Sequence, residues 1–126
     1  MVLLVLVFVA GRCSSRASAD DAALHSALSR GQTGTEVTFS GRVQADPLRV
    51  GGHEHLTVIT SLGDRLEVDH NVDLAPWVPA RAGSTVVVHG ELYIDPASSG
   101  VHCTHARTSS GCPFPGWIEL GGNYYE

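Results

Sequence analysis

The chain has 126 residues, enough for one compact domain, and its 43% hydrophobic and 17% charged residues are typical of a globular protein. All 8 basic residues are arginine, and 13 acidic residues bring the net charge to −5. This balance argues against sequence-blind binding of nucleic acid and against a surface for anionic lipids, because both depend on clustered Lys and Arg.

The first residues predict an export signal. The run from Val2 to Ala10 is apolar throughout. It is shorter than the about 20 residues of a membrane-spanning helix but suits the core of a signal peptide. Ala17-Ser18-Ala19 is a small-residue cleavage site, so we expect residues 1–19 to be a signal peptide. The exported chain, periplasmic or extracellular, would begin at Asp20. No basic residue precedes the apolar run, so an upstream start or a membrane-tethered N-terminus is the alternative.

The cysteines fit this prediction. The sequence contains Cys13, Cys103 and Cys112. Loss of the signal peptide removes Cys13 and leaves a pair that is nine positions apart. In an exported domain such a pair is expected to form a disulfide.

The chain after the signal begins with a short helix and a linker, residues 20–34. Asp20 and Asp21 lie at the helix start, where the helix dipole favours acids, and Gly31 is a suitable end. In residues 36–43 the apolar side chains Val37, Phe39 and Val43 share one face, which predicts a half-buried strand.

Four more strands are predicted, together with a terminal hairpin. Asp46-Pro47 and Gly51-Gly52 bracket a loop, and Gly63-Asp64 forms a tight turn. A Pro-containing connector, residues 71–83, follows the third strand. The second to fifth strands and the hairpin are predicted at residues 55–61, 65–70, 85–94, 101–105 and 117–125.

This order of elements predicts the fold class. A leading helix and five strands, with a long connector between the third and fourth, match a mostly β protein with a small five-stranded OB-type barrel over residues 35–126. A generic small antiparallel barrel or sandwich is the alternative. OB barrels have many functions, so the fold alone assigns no chemistry.

Histidines are the main candidates for function, because the sequence lacks the common phosphate-loop, serine-elbow, Cys-x-x-Cys and His-Glu-x-x-His signatures. We predict that His70, His102 and His105 bind a divalent transition metal, most plausibly zinc, since three imidazoles and an open position form a catalytic zinc site. His53 and Asn71 would position or protonate a substrate.

Asp73 would orient one of these histidines. A phosphodiester is the substrate hypothesis, because OB folds often bind oligonucleotides. A metal-free site, with two histidines as acid and base, stays open.

Each candidate also has a structural interpretation. His70 continues the apolar face of Leu66 and Val68, so it would be buried against a backbone carbonyl. In a regular strand His102 and His105 face opposite sides, so both join one site only if the chain bends. Asn71 and Asp73 would simply cap a turn. The alternative function is therefore a non-enzymatic binding or structural module of the cell envelope.

From about residue 35 to the end, the sequence resembles the bacterial family called domain of unknown function 3465. The matching positions are His53, the block His70-Asn71-Val72-Asp73-Leu74-Ala75-Pro76, Gly90-Glu91, His102, Thr104, His105 and Gly116-Trp117-Ile118. The sequence departs from the family pattern at Gly52, Trp77, Cys103, Ala106 and Arg107. The resemblance implies an exported OB-like domain with a His/Asn cluster, and it implies no established activity.

Overall fold

The computed structural model describes residues 16–126. The predicted signal core, residues 2–10, and Cys13 lie outside the described residues. Within residues 16–126, no helix is long and apolar enough to cross a membrane.

The predicted helix is present as α1, Asp21–Ser29. Asp20 caps it, because its carboxylate accepts a hydrogen bond from the Ala23 N–H at 2.9 Å. The chain leaves the helix through Gly31, whose φ of +65° favours glycine. Leu24 is fully buried and joins α1 to the barrel core.

Eight strands follow the helix. They are β1 Glu36–Val43, β2 Leu48–Val50, β3 His53–Thr60, β4 Arg65–Asn71, β5 Thr85–Ile94, β6 Ser99–His102, β7 Trp117–Leu120 and β8 Asn123–Tyr125. Buried and half-buried residues alternate along β1, β3, β4 and β5, so one face of each strand enters the core.

The strands form a closed barrel in the order β1-β3-β4-β6-β5, and β5 pairs again with β1. All of these pairs are antiparallel except β4 with β6, which is parallel. The molecule is therefore a mostly β, five-stranded OB-type barrel with one short helix, as predicted. The β7–β8 hairpin, turned at Gly121 and Gly122, extends the sheet from β5.

Two element predictions differ from the structure. The segment predicted as a loop between Asp46 and Gly52 contains β2, which pairs with β3 although all three of its residues are exposed. Leu48, Arg49 and Val50 do alternate, but three residues are fewer than the about 4–8 on which strand prediction depends. The fifth barrel strand is Ser99–His102 rather than 101–105, because the chain turns at Cys103, where φ is +57°.

The predicted disulfide is present between Cys103 and Cys112. It closes the loop that follows β6. Cys103 is buried at 3% exposure, whereas Cys112 lies in a mostly exposed segment. The bond therefore ties a surface loop to the end of a barrel strand.

Candidate functional site

Several predicted site residues meet where β3 begins and β4 ends. His53 lies opposite Asn71, and Glu54 lies opposite His70, in the antiparallel pairing of these strands. We call His53, Glu54, His70, Asn71 and His105 the barrel-end cluster. The connector after β4 covers this cluster, because it accepts a hydrogen bond from His70 and donates one to Glu54.

His70 is fully buried, and both of its ring nitrogens have partners. Nε2 lies 2.9 Å from the Pro76 carbonyl oxygen, which only accepts, so Nε2 carries the proton. Nδ1 then accepts a hydrogen bond from the Thr104 hydroxyl at 2.8 Å. Burial lowers the pKa of His70, the hydrogen bond to Pro76 opposes this shift, and His105 and His53 lower the pKa further. The buried interpretation of His70 is confirmed, and the ring holds the connector in place.

Glu54 lies beside His70 and was not singled out from the sequence. It is fully buried, and its Oε1 accepts a hydrogen bond from the Val78 N–H at 2.7 Å. Its Oε2 is buried without a partner among the described residues. Burial raises the pKa of Glu54 to about 7, against the opposing effects of the Val78 bond and Arg49. Glu54 lies two positions before Leu56 and therefore on the same inward face of β3, which was the signal in the sequence for its burial.

His53, Asn71 and Asp73 lie at the same end of the barrel but are more exposed. Asn71 Oδ1 accepts a hydrogen bond from the Asp73 N–H at 3.0 Å, so this part of the turn-capping interpretation is confirmed. The Asp73 carboxylate lies against Gly52, where an added Cβ would be 2.6 Å from Oδ2. The exposed Asp73 side chain would therefore have to turn away if position 52 carried a Cβ.

His105 has a defined tautomer. Its Nδ1 lies 2.7 Å from the Arg107 carbonyl oxygen, so Nδ1 carries the proton and donates it. In the neutral ring Nε2 then keeps its lone pair. A histidine oriented in this way suits a metal ligand or a general base.

His102 lies elsewhere. Its neighbour Val101 faces the core, and His102 faces outward, where β1, β5 and β6 also direct Glu36, His89 and Glu91. We call Glu36, His89, Glu91 and His102 the wall cluster. His70 faces the inside of the same wall, so the structure does not bring His70, His102 and His105 together as ligands of one metal.

The wall cluster contains two imidazole–carboxylate pairs. His102 Nε2 lies 3.2 Å from Glu91 Oε1, and His89 Nε2 lies 3.5 Å from Glu36 Oε1. Glu36 and Glu91 are direct cross-strand partners and connect the two pairs. The His89 ring stacks on Trp117 with ring centroids 5.7 Å apart, which limits its rotation.

Glu36 is in an unfavourable environment. Its Oε1 is buried and makes no hydrogen bond within residues 16–126. Burial raises the pKa of Glu36, the Glu91 carboxylate raises it further, and His102 opposes them. Like charges on directly opposed positions of a sheet are destabilising. A positive charge between the two carboxylates would remove this repulsion.

Cys103 adjoins the wall cluster. Its sulfur, a Glu91 carboxylate oxygen and a His102 ring nitrogen all lie within 4.8 Å of one another. The sulfur belongs to the disulfide, so it is not a thiolate ligand in this state. Glu91 lies eleven positions before His102 in the sequence, and only the β5–β6 pairing places the two side chains together.

Comparison with known proteins places the chain in a family. The model of a family described as "Protein of unknown function (DUF3465)" matches residues 5–126. The chain belongs to this family. The resemblance to this family is thereby confirmed, and the family description assigns no activity. No curated protein matches the chain.

Solved structures show the same fold. The chain is similar to asparaginyl-tRNA synthetase from Pyrococcus horikoshii, with a TM-score of 0.51 and 19% sequence identity over 71% of this chain and 20% of that chain. The structure of the same enzyme complexed with asparaginyl-adenylate gives a TM-score of 0.51 and 19% identity, over 71% of this chain and 19% of that one. The chain spans about a fifth of the synthetase, and the likeness concerns the fold alone.

Proposed function

We propose that this DUF3465 domain binds a divalent transition metal ion, zinc in particular, at the wall cluster. The observation that carries the proposal is the Glu36 carboxylate, which is held beside Glu91 and whose buried Oε1 makes no hydrogen bond within residues 16–126, since His89 Nε2 lies 3.5 Å away. A bound cation would supply the missing partner and neutralise the repulsion between the two carboxylates.

The donor set supports zinc. Two imidazoles and two carboxylates are ligands that zinc accepts, whereas calcium and magnesium prefer oxygen donors alone. Two ligands on a tetrahedral zinc ion, each at about 2.0–2.1 Å, lie about 3.3 Å apart. The nitrogen–oxygen separations of 3.2 and 3.5 Å fit such an edge within each pair. The two pairs do not yet converge, because among the described residues only Glu91, His102 and Cys103 have three ligand atoms within 4.8 Å of one another. One ion would therefore bind both pairs only after the side chains turn toward it.

Zinc binding is the first test. The untagged chain, purified with its disulfide intact, is titrated with zinc in competition with a chromophoric chelator. We expect one ion per chain, and Glu36→Gln and His102→Ala each to weaken binding by at least about tenfold, because each removes one ligand.

The matched control is His25→Ala. His25 also pairs with a carboxylate, since its Nδ1 lies 2.9 Å from Asp64 Oδ2, but this pair lies outside the wall cluster. Its loss should leave zinc affinity unchanged. Equal effects of His25→Ala and His102→Ala would show that zinc binds to surface histidines in general, and the proposal would fail.

We also propose the place and the biological setting of this activity. Export with cleavage before Asp20 would put the domain, residues 35–126, in the cell envelope or outside the cell as a metal-binding module. The disulfide and the lack of a membrane-spanning helix within residues 16–126 are compatible with this location.

A second candidate function is phosphodiester hydrolysis at the barrel end, with His53, Asn71 and Asp73 around the substrate. The observation that favours it is the fixed tautomer of His105, whose Nε2 would serve as the general base. A phosphodiester bearing a chromogenic leaving group is the probe. Turnover that falls at least about 100-fold in His105→Ala would support this activity. Turnover at the level of buffer alone would leave the metal-binding module as the function.

A further inference from the structure

The end of β6 departs from regular strand geometry where it meets the wall cluster. Among the described residues, Cys103 alone combines a positive φ, +57°, with a side chain. Such a conformation is uncommon for residues other than glycine, asparagine and aspartate and costs about 1–3 kcal/mol. Neighbouring residues of a regular strand direct their side chains to opposite faces. Here the turn places the Cys103 sulfur within 4.8 Å of ligand atoms of both His102 and Glu91.

Cys112 brings a second sulfur next to the first, because it is bonded to Cys103, although it lies outside the group of ligand atoms within 4.8 Å of one another. Disulfide sulfurs do not serve as thiolate ligands, so in the oxidised chain the cluster offers only imidazole and carboxylate donors. Opening the bond would add two thiolates, the donors that zinc favours in closed structural sites.

We propose that reduction of the Cys103–Cys112 disulfide converts this end of the wall cluster into a four-ligand zinc site. Its ligands are Cys103, Cys112, His102 and Glu91. The inference rests on the proposed function for the last two ligands and adds redox control of the same site. The chain would then hold zinc weakly when oxidised and tightly when reduced.

The chemistry balances with a dithiol as reductant. The dithiol gives two electrons and two protons to the Cys103–Cys112 bond and becomes a disulfide, while the bond opens to two thiols. Zinc then binds both sulfurs as thiolates, and the two thiol protons pass to solvent. A thiol–disulfide exchange protein is therefore the class of partner that would supply the reducing equivalents.

The surrounding structure allows the sulfurs to move apart. Cys103 is buried, and its neighbour Thr104 is anchored by the hydrogen bond to His70. Cys112 lies in a mostly exposed loop, where its backbone bonds only to Ser109 among the described residues. The adjustment around zinc therefore falls on Cys112 and its loop, and the barrel wall stays in place.

Zinc affinity in the two redox states tests the inference. The chain is titrated with zinc before and after treatment with a non-thiol phosphine reductant. We expect binding to be at least about 100-fold tighter after reduction. Cobalt(II) added to the reduced chain should give the intense near-ultraviolet band of a thiolate-to-cobalt transition, and the oxidised chain should lack it.

Matched variants separate this site from non-specific thiol binding. The double variant Cys103→Ser/Cys112→Ser should bind zinc as weakly as the oxidised chain under both conditions. His102→Ala and Glu91→Gln should weaken zinc binding by the reduced chain, whereas His25→Ala should not. Circular dichroism checks whether each variant is folded. If the double variant is unfolded, zinc protection of the two cysteines against alkylation in the reduced wild type serves instead.

The outcomes are distinguishable. Zinc binding that is equal before and after reduction overturns the redox inference and leaves the proposed function intact. Binding by the reduced chain alone, dependent on His102 and Glu91, supports the four-ligand site and overturns zinc binding by the oxidised chain. A cobalt band that persists unchanged without His102 and Glu91 overturns the assignment of these ligands.

Discussion

Burial shifts the pKa values of Glu54 and His70 in opposite directions, because one is an acid and the other is a base. The pKa of Glu54 rises to about 7 and that of His70 falls, each chiefly through burial. The ionised carboxylate and the protonated imidazole are both disfavoured at the barrel end. These two side chains therefore hold the connector best when both are neutral.

Replacement of Glu54 by glutamine should remove one pH dependence. The folded-state pKa lies above the unfolded value of about 4.3, so the folded chain binds the extra proton between about pH 4.3 and 7. The stabilising contribution of neutral Glu54 is full below that window and is lost as pH rises through about 7, up to about 3 kcal/mol. Glutamine keeps an acceptor for the Val78 N–H and does not titrate.

Urea unfolding of both chains from pH 4.5 to 8 measures this effect. The wild type should lose stability relative to Glu54→Gln as pH rises, with the difference levelling off above about pH 7. Parallel stability curves for the two chains would contradict the assignment.

Replacement of His70 by alanine should destabilise the fold by about 2–4 kcal/mol, because it leaves the Pro76 carbonyl and the Thr104 hydroxyl without their partner and opens a cavity. Zinc affinity at the wall cluster should stay unchanged. Unfolding and zinc titration of the same variant check both statements. Loss of zinc binding with an intact fold would instead restore His70 as a metal ligand.

At the scale of elements, strand β6 lies close under the Tyr93 side chain because Gly100 has no side chain. An added Cβ at Gly100 would clash with the Tyr93 ring, which crosses over β6 at this residue. The Tyr93 hydroxyl donates a hydrogen bond to Asp69 Oδ2 on β4 at 2.7 Å. Tyr93 thus links β5 to β4 over the short parallel strand between them. The same crossing places the Tyr93 ring edge-on to His102.

Gly100→Ala should therefore destabilise the barrel by about 1–3 kcal/mol, since Tyr93 must move and the added Cβ would also lie 2.6 Å from the Glu67 carbonyl oxygen of the neighbouring strand. Gly111→Ala is the matched control, because an added Cβ there meets only Ser109 Oγ at 4.0 Å. It should change stability by less than about 0.5 kcal/mol. Urea unfolding compares the two, and equal losses would show that Tyr93 does not depend on the space at Gly100.

At the scale of the whole molecule, the segment before Asp20 touches the far end of the chain. The Arg16 guanidinium binds the Glu126 carboxylate at 2.6 Å and lies 3.7 Å from the centroid of the Tyr124 ring. Asp20 itself is held inside the domain, since its N–H donates to the Thr38 carbonyl. The predicted cleavage site therefore lies between a surface contact and the first anchored residue.

Cleavage before Asp20 should leave a stable domain. The Arg16 contacts are partly exposed, and surface ion pairs of this kind contribute about 0–1 kcal/mol. Mass spectrometry of the secreted or periplasmic protein should give a chain that begins at Asp20, and its thermal unfolding should resemble that of a chain that keeps Arg16. A mature chain that still contains Arg16 would contradict the predicted cleavage site.

Local patterns in the sequence predicted much of the fold. Alternation of apolar residues located the long barrel strands, the acids and Gly31 bounded α1, and the cysteine count predicted the disulfide. These signals are local, because the strand repeat and the helix cap depend on neighbours in the chain. The exposed strand β2 has only three residues, too few for such a pattern to stand out, and was missed.

Only the tertiary structure decided which histidines belong together. Alternation places His70 and His102 each on a face of its own strand, but it does not say which residues of other strands lie beside them. Strand register does: it pairs Glu36 with Glu91, and Glu91 with His102, across long separations in the sequence. The burial that raises the pKa of Glu54 and leaves Glu36 Oε1 without a hydrogen bond among the described residues likewise depends on the closed barrel, because no short segment by itself excludes water.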